Sequence, residues 1–253
     1  MIPALPDAFL ARPIAHRALH DLGAGRPENS RAAVRAAVAA GYGIEIDVQL
    51  SLDGVAMVFH DHDLARLTGA TGALAQRTAA ALAAIGLRHG TEGIPTLVQV
   101  LAEVAGKVPL LIEVKDQDGA LGPAIGALEA ATAAALAGYG GPVAVMSFNP
   151  FSVAAMADLA PLVPRGLTTS AYDPDDWAPV PVAVCDRLRD IPDYDRSGAG
   201  FISHEAHDLA RPRVAALKAQ GARVLCWTVR SAVAEAAARA AGADNVTFEG
   251  YAA

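Results

Sequence analysis

Eight extended apolar segments, separated by Ala-rich helical patterns, constrain this chain more than any other feature. Segments near 12–15, 44–50, 108–114, 143–148, 164–168, 200–203, 223–229 and 245–248 read as strands. Helical patterns near 30–40, 96–105, 121–138, 150–158, 211–220 and 231–241 lie between them. The first of these opens at Glu28-Asn29-Ser30, which offers an N-cap, and Gly41, Gly221 and Gly242 are plausible C-terminal stops. Strands alternating with crossover helices predict a parallel sheet, and eight of them predict a (β/α)8 TIM barrel. A doubly wound open sheet is the alternative. The length of 253 residues suits one such barrel, and no repeat, low-complexity tail or linker divides it. The expectation is a single domain over 1–253, with Pro-rich 172–184 as a loop on the barrel.

Composition narrows the function classes. Apolar residues make up 53%, but stretches such as "AAVRAAVAA" supply much of that, so the mean hydropathy of +0.30 overstates how greasy the chain is. No run approaches the roughly 18–20 apolar residues of a membrane span. The first residues lack a basic region followed by an apolar run, so no signal peptide is expected. Cys185 and Cys226 show no metal or redox spacing and read as reduced core thiols, in keeping with a cytoplasmic location. A net charge of −7 without a Lys/Arg stripe argues against a nucleic-acid partner. An anionic ligand would need a few local cations to reverse the field. Oligomeric state is not legible.

One insertion breaks the rhythm. Asp53-Gly54 is a hairpin signal directly after the second strand, and helical patterning resumes only at Thr96. The insertion, about 52–95, exceeds an ordinary βα connection and leaves the C-terminal end of strand two, the barrel face where sites are built.

In a parallel barrel both faces of a strand are covered, so an acid in mid-strand is costly unless it is paired or metal-bound. Glu45 and Asp47 alternate with Ile44, Ile46 and Val48. They are about 6.6 Å apart by strand rise and share a face. Glu113 ends another apolar strand with Lys115 on the same face. Three strand carboxylates without Cys or clustered His form an all-oxygen donor set that suits Mg²⁺ or Ca²⁺. Spacing alone equally allows a Glu113–Lys115 pair with the other two acids in water. His16 and Arg17 stand at the edge of the first strand, and His60 at the end of the hairpin's return strand. Cations beside metal-ligating acids point to an anionic phosphate-bearing substrate, and imidazoles move protons near neutrality. The constellation fits phosphodiester cleavage.

The chain resembles glycerophosphodiester phosphodiesterases over nearly its whole length. The likeness is carried, in order, by "HRA" with "PENS", "GIEIDVQLSLDG", "FHDHDLARLTG", "IPTL", "LLIEVK", "SF" and "CWTV". It implies a TIM barrel with a small insertion after strand two. It also implies one divalent cation at Glu45, Asp47 and Glu113, and acid–base work by His16 and His60. Phosphate contacts would come from Arg17 and Lys115, and Phe148 and Trp227 would line the substrate pocket. The activity implied is metal-dependent hydrolysis of a glycerophosphodiester to glycerol 3-phosphate and an alcohol.

Three positions depart from the family pattern. Ala18 stands where Gly is usual, which is tolerable unless that residue needs φ > 0. Arg230 replaces Asn after "WTV", and "TFEGY" keeps Thr247, puts Phe248 in place of an Asp, and displaces an acid by one to Glu249. His62 is expected to support the His60 loop, while His20, His89, His204 and His207 read as surface or supporting residues. Glu28 and Asn29 either cap the first helix or orient His16 or Arg17. Two rival functions share this sequence: a lysophospholipid- or phosphoinositide-cleaving relative, and a silent barrel that binds phosphate esters.

Overall fold

The computed structural model describes residues 2–253. Its strands are β1 (Ile14–Ala15), β2 (Gly43–Leu50), β3 (Ala56–Val58), β4 (Leu110–Val114), β5 (Val143–Ser147), β6 (Arg165–Thr169), β7 (Phe201–Glu205), β8 (Arg223–Val229) and β9 (Asn245–Phe248). All but β3 pair in parallel, in the order β1-β2-β4-β5-β6-β7-β8-β9, and β1 pairs with both β2 and β9. The sheet therefore closes on itself as an eight-stranded TIM barrel, and the open-sheet alternative is excluded. β3 is antiparallel to the end of β2, as the Asp53-Gly54 turn requires.

The helices are α1 (Ala8–Ala11), α2 (Arg31–Ala40), α3 (Ala79–Ala83), α4 (Leu97–Val104), α5 (Ala127–Leu136), α6 (Pro150–Leu159), α7 (Val182–Leu188), α8 (Pro212–Ala219) and α9 (Ala232–Ala240). Local chemistry sets their starts. Ser30 Oγ accepts from Ala33 N–H, and Thr96 and Gln99 form a reciprocal capping box; Asn149 caps α6 with Pro150 in the first turn. Two expectations need correction. The helix read over 121–138 forms only from Ala127, because Leu121 and Gly126 have positive φ (52° and 132°), which no helix accepts. The segment 172–184 is a loop only as far as Pro181, since Val182 opens α7.

Strand faces alternate between two environments. Outward residues such as Ile44, Ile46, Val48, Leu110 and Ile112 pack under the helices in one apolar layer. Inside the barrel, Phe9 from α1 joins Leu111, Met146, Phe201 and Leu225 to fill the N-terminal end. Gly166 permits this filling, because a Cβ there would sit 2.4 Å from the Phe201 ring. Apolar filling stops one layer higher. Glu45 pairs in register with Leu111, whereas Asp47 pairs with Glu113. The polar layer thus opens at the C-terminal mouth, on a floor of packed hydrocarbon.

Candidate active site

A cleft of ≈ 670 Å³ occupies that mouth, and all nine residues singled out from the sequence line it: His16, Arg17, Glu45, Asp47, His60, Glu113, Lys115, Phe148 and Trp227. Glu45 and Asp47 face inward and are each 2% exposed, which rules out the edge-strand reading. One carboxylate oxygen from each of Glu45, Asp47 and Glu113 lies within 4.8 Å of the others. Oxygens bound to one hard cation at about 2.0–2.6 Å span up to roughly 4–5 Å across it, so the three fit a shared Mg²⁺ or Ca²⁺. Lys115 Nζ stands 2.9 Å from Glu113 and 3.4 Å from Asp47.

The electrostatics set the two strand acids apart. Burial, then the charges of Asp47 and Glu113, push the Glu45 carboxyl well above the usual carboxylate range. Burial acts upward on Asp47 as well, but Lys115, His60 and Arg17 overrule it and hold that carboxyl far below its usual value. Burial likewise opposes the Lys115 ammonium, and the Glu113 and Asp47 carboxylates outweigh it and keep it charged. A bound divalent cation would remove the like-charge stress on Glu45.

Supporting residues hold the acids and cations in place. Asn29 Nδ2 donates to Asp47 Oδ2 (2.9 Å), and Asn29 Oδ1 accepts from the Asp47 backbone N–H (3.2 Å). Asn29 therefore orients Asp47, and capping of α2 falls to Ser30. Arg17 donates its backbone N–H to Glu45 (2.8 Å) and its Nη1 to Glu28 (2.8 Å). Among the described residues Arg17 Nε has no hydrogen-bond partner, and it lies 3.8 Å from Asp47, a buried donor left over for a ligand. Gln49, the next inward residue of β2, donates to the His60 carbonyl (2.8 Å) and so ties down the insertion. His62 supports that loop only through its backbone, accepting from Leu74 N–H (2.9 Å).

Each catalytic candidate histidine has a carboxylate on Nδ1. His60 meets Asp61 at 2.7 Å and His16 meets Glu249 at 2.6 Å. Asp61 is gripped by Arg66, which also binds both oxygens of Glu28 (2.8 and 2.9 Å). A chain of hydrogen bonds therefore runs from His60 through Asp61, Arg66 and Glu28 to Arg17 around the rim. Glu249, the displaced acid, also holds Arg230 (2.8 Å) and stands 3.6 Å from His20. The displacement follows from period 2. Phe248 points outward against Tyr42, with ring centroids 4.9 Å apart, while Thr247 lines the cleft and Glu249 reaches His16 at its edge.

Burial pulls the His16 pKa below its usual value despite Glu249, which acts to raise it. A neutral ring with its Nδ1 proton on Glu249 would leave Nε2, which has no hydrogen-bond partner among the described residues, as a free lone pair. The hydrogen bond from His16, with the His20 ring close by and the charge of Arg230, holds Glu249 far below the ordinary carboxylate range.

Sequence reasoning missed Arg66, Glu249 and Trp177. Arg66 carried no signal of its own, whereas Glu249 was visible as an acid at a strand end. Trp177, in the loop after β6, lines the cleft beside Phe148. Of the remaining histidines, His89 and His207 are exposed. His204 is buried against Thr169 (2.8 Å), a structural role. Cys185 and Cys226 are buried free thiols, with the latter pushed up to about 12 by burial.

A profile of the Glycerophosphoryl diester phosphodiesterase family matches residues 16–249. The chain belongs to this family. It is accordingly a phosphoric diester hydrolase. YhdW of Bacillus subtilis (strain 168), which carries the family's name, is 28% identical over 232 residues, covering 88% of this chain and 89% of YhdW. The glycerophosphodiester phosphodiesterase of Caldanaerobacter subterraneus subsp. tengcongensis is 33% identical over 161 residues, 60% of this chain and 65% of its own length. Among solved structures, an Oleispira antarctica phosphodiesterase in complex with the product sn-glycerol-3-phosphate superposes with a TM-score of 0.75 at 27% identity, over 96% of this chain and 94% of that one. A Thermotoga maritima glycerophosphodiester phosphodiesterase shares the fold, with a TM-score of 0.67 at 20% identity over 94% of each chain. Among the described residues no helix is long and apolar enough to cross a membrane.

Proposed function

We propose that this protein hydrolyses glycerophosphodiesters to glycerol 3-phosphate and an alcohol with the help of one divalent cation, as a single catalytic domain whose insertion after β2 delivers His60. The observation that carries the reading is the meeting, in one cleft, of two Nδ1-anchored imidazoles, three convergent carboxylates and two cations. The product complex of the Oleispira relative supports the choice of substrate. Glu45, Asp47 and Glu113 would hold Mg²⁺ or Ca²⁺, which when bound supplies Lewis-acid polarisation of a phosphoryl oxygen.

The remaining work falls to this chain's own groups. Arg17, through its free Nε, and Lys115 bind the phosphoryl oxygens and stabilise charge that grows as the ester bond breaks. The free Nε2 of His16 accepts the proton of the attacking hydroxyl: water, which gives glycerol 3-phosphate directly, or the substrate's glycerol, which gives a cyclic phosphodiester that water then opens to glycerol 3-phosphate. His60, set by Asp61, donates a proton to the departing alkoxide. Phe148 and Trp227 wall the cleft on the opposite side. The test is turnover of glycerophosphodiesters with added Mg²⁺ or Ca²⁺, read as glycerol 3-phosphate released. His16→Ala and His60→Ala should each lose roughly 10²–10⁴-fold in kcat. Near wild-type turnover in either variant overturns the assignment.

A further inference from the structure

The two halves of the cleft differ in chemistry. Arg17 and Lys115 stand with the histidines on the β1–β2–β4 side. Facing them, between β5 and β8, are three aromatic rings and three acids. The Phe148 ring lies 4.8 Å from Trp177 and 5.4 Å from Trp227, each edge-on. Asp173, Asp176 and Glu205 line the same cleft, and among the described residues none of them forms an ion pair. Arg230 also reaches the cleft but is tied to Glu249 on the β9 side. Thr168, 2% exposed, lines this half, and its hydroxyl has no hydrogen-bond partner among the described residues, a buried polar group left for a ligand.

The loop that carries Trp177 is anchored. Arg189 donates to the carbonyls of Ala171 (2.7 Å) and Tyr172 (3.1 Å), and the Tyr172 hydroxyl donates to the Thr168 carbonyl (3.2 Å). Trp177 packs on Tyr172 with centroids 4.7 Å apart, so its ring is positioned before any ligand arrives. Aromatic faces attract alkylammonium groups, and unpaired carboxylates beside them add Coulombic attraction. A neutral polyol gains neither, and an anionic head group is repelled.

We propose that the β5–β8 half of the cleft is a subsite for an alkylammonium group on the alcohol of the diester, so that cationic head groups are selected over neutral ones. The inference rests on the hydrolytic reading above. A zwitterionic diester then lies along the cleft's own charge gradient, with its phosphate toward Arg17 and Lys115 and its ammonium among Phe148, Trp177 and Trp227. Trp177, Asp173 and Asp176 are the specificity-determining residues.

The test compares kcat/KM for glycerophosphocholine with that for its uncharged isostere, in which 3,3-dimethylbutanol replaces choline. The wild-type enzyme should favour the choline ester about tenfold or more. Trp177→Leu, and separately Asp173→Asn with Asp176→Asn, should each cut that ratio roughly threefold to thirtyfold. Equal kcat/KM for the two esters, or a ratio unmoved in both variants, overturns the subsite. If no diester is cleaved with either cation, the hydrolytic reading is what has failed, and the subsite is then read by binding. Trp177 and Trp227 are the two tryptophans of the chain, so intrinsic fluorescence can follow titration with phosphocholine and with 3,3-dimethylbutyl phosphate. Tighter binding of phosphocholine supports the subsite, and equal binding overturns it.

Discussion

Glu249 Oε2 lies 2.6 Å from His16 Nδ1, across 233 residues of sequence. On the proposed mechanism this contact fixes the tautomer of His16 and makes Nε2 the proton acceptor. Glu249→Gln keeps a hydrogen-bond acceptor but removes the charge, so kcat should fall about 10–100-fold rather than to the level of His16→Ala. The pH profile gives the sign. His16 must be neutral to act, so activity is lost as pH falls through its pKa, which burial already places below the usual value. Glu249 acts to raise that pKa. Its neutralisation should therefore move the acidic limb of kcat/KM to lower pH, and a limb that stays put or rises assigns the limb to another group.

Metal removal is the second expected outcome. Excess EDTA should abolish turnover, and added Mg²⁺ or Ca²⁺ should restore it. Asp47→Asn keeps the side-chain volume while removing a donor charge that Asn29 orients. Metal affinity, measured by titration calorimetry, should weaken at least 10–100-fold, the range seen when only an outer partner is lost. Full activity after dialysis against EDTA would sink the shared-cation reading.

Strand order, insertion and inward acids were legible because each follows from a periodicity. Period 2 puts Glu45, Asp47 and Gln49 on one face, and barrel closure makes that face the interior. The partners of those residues were not legible. Glu28 and Arg66 meet only because the insertion folds back over the start of α2, and nothing local in either segment encodes the encounter. Asn29 looked like a cap because Asn is a good cap, yet Ser30 beside it serves α2 and frees the amide for Asp47. Trp177 sat in a stretch read as an ordinary loop, where aromatic patterning has no period to detect.

Arg66 bridges Asp61 and Glu28 while its own side chain is 47% exposed. Exposed ion pairs contribute about 0–1 kcal/mol each, so Arg66→Ala should change unfolding free energy by no more than about 1–2 kcal/mol. Its effect on turnover should be larger than that small cost implies. Loss of the bridge frees Asp61 beside His60 and one side of the carboxylate that holds Arg17, and kcat/KM should drop about 5–30-fold. Denaturant melts beside steady-state kinetics separate the two effects. Equal losses in stability and activity would make Arg66 merely structural.

Ala18 adopts φ 64°, directly after Arg17 at φ 52°, and so occupies the left-handed region where its family usually places glycine. For an L-residue that conformation costs about 1–2 kcal/mol. The methyl group is not idle, because Ala18 is 1% exposed and belongs to the apolar layer under the helices. Ala18→Gly would relieve the strain but lose one buried methyl, about 0.8 kcal/mol, and add unfolded-chain entropy of about 0.5–1 kcal/mol. The terms nearly cancel, and the variant should melt within about 1 kcal/mol of wild type. Ala18→Val is different. A β-branched side chain is a severe outlier at positive φ and has no room in the packed layer, so it should cost at least about 2–3 kcal/mol. Because the Ala18 N–H donates to the Glu45 carbonyl (2.9 Å), the same substitution should also shift β2 against β1 and weaken metal binding. Denaturant unfolding of both variants, with cation titration of each, checks the pair; a Val variant as stable as wild type would mean the turn relaxes out of the left-handed region.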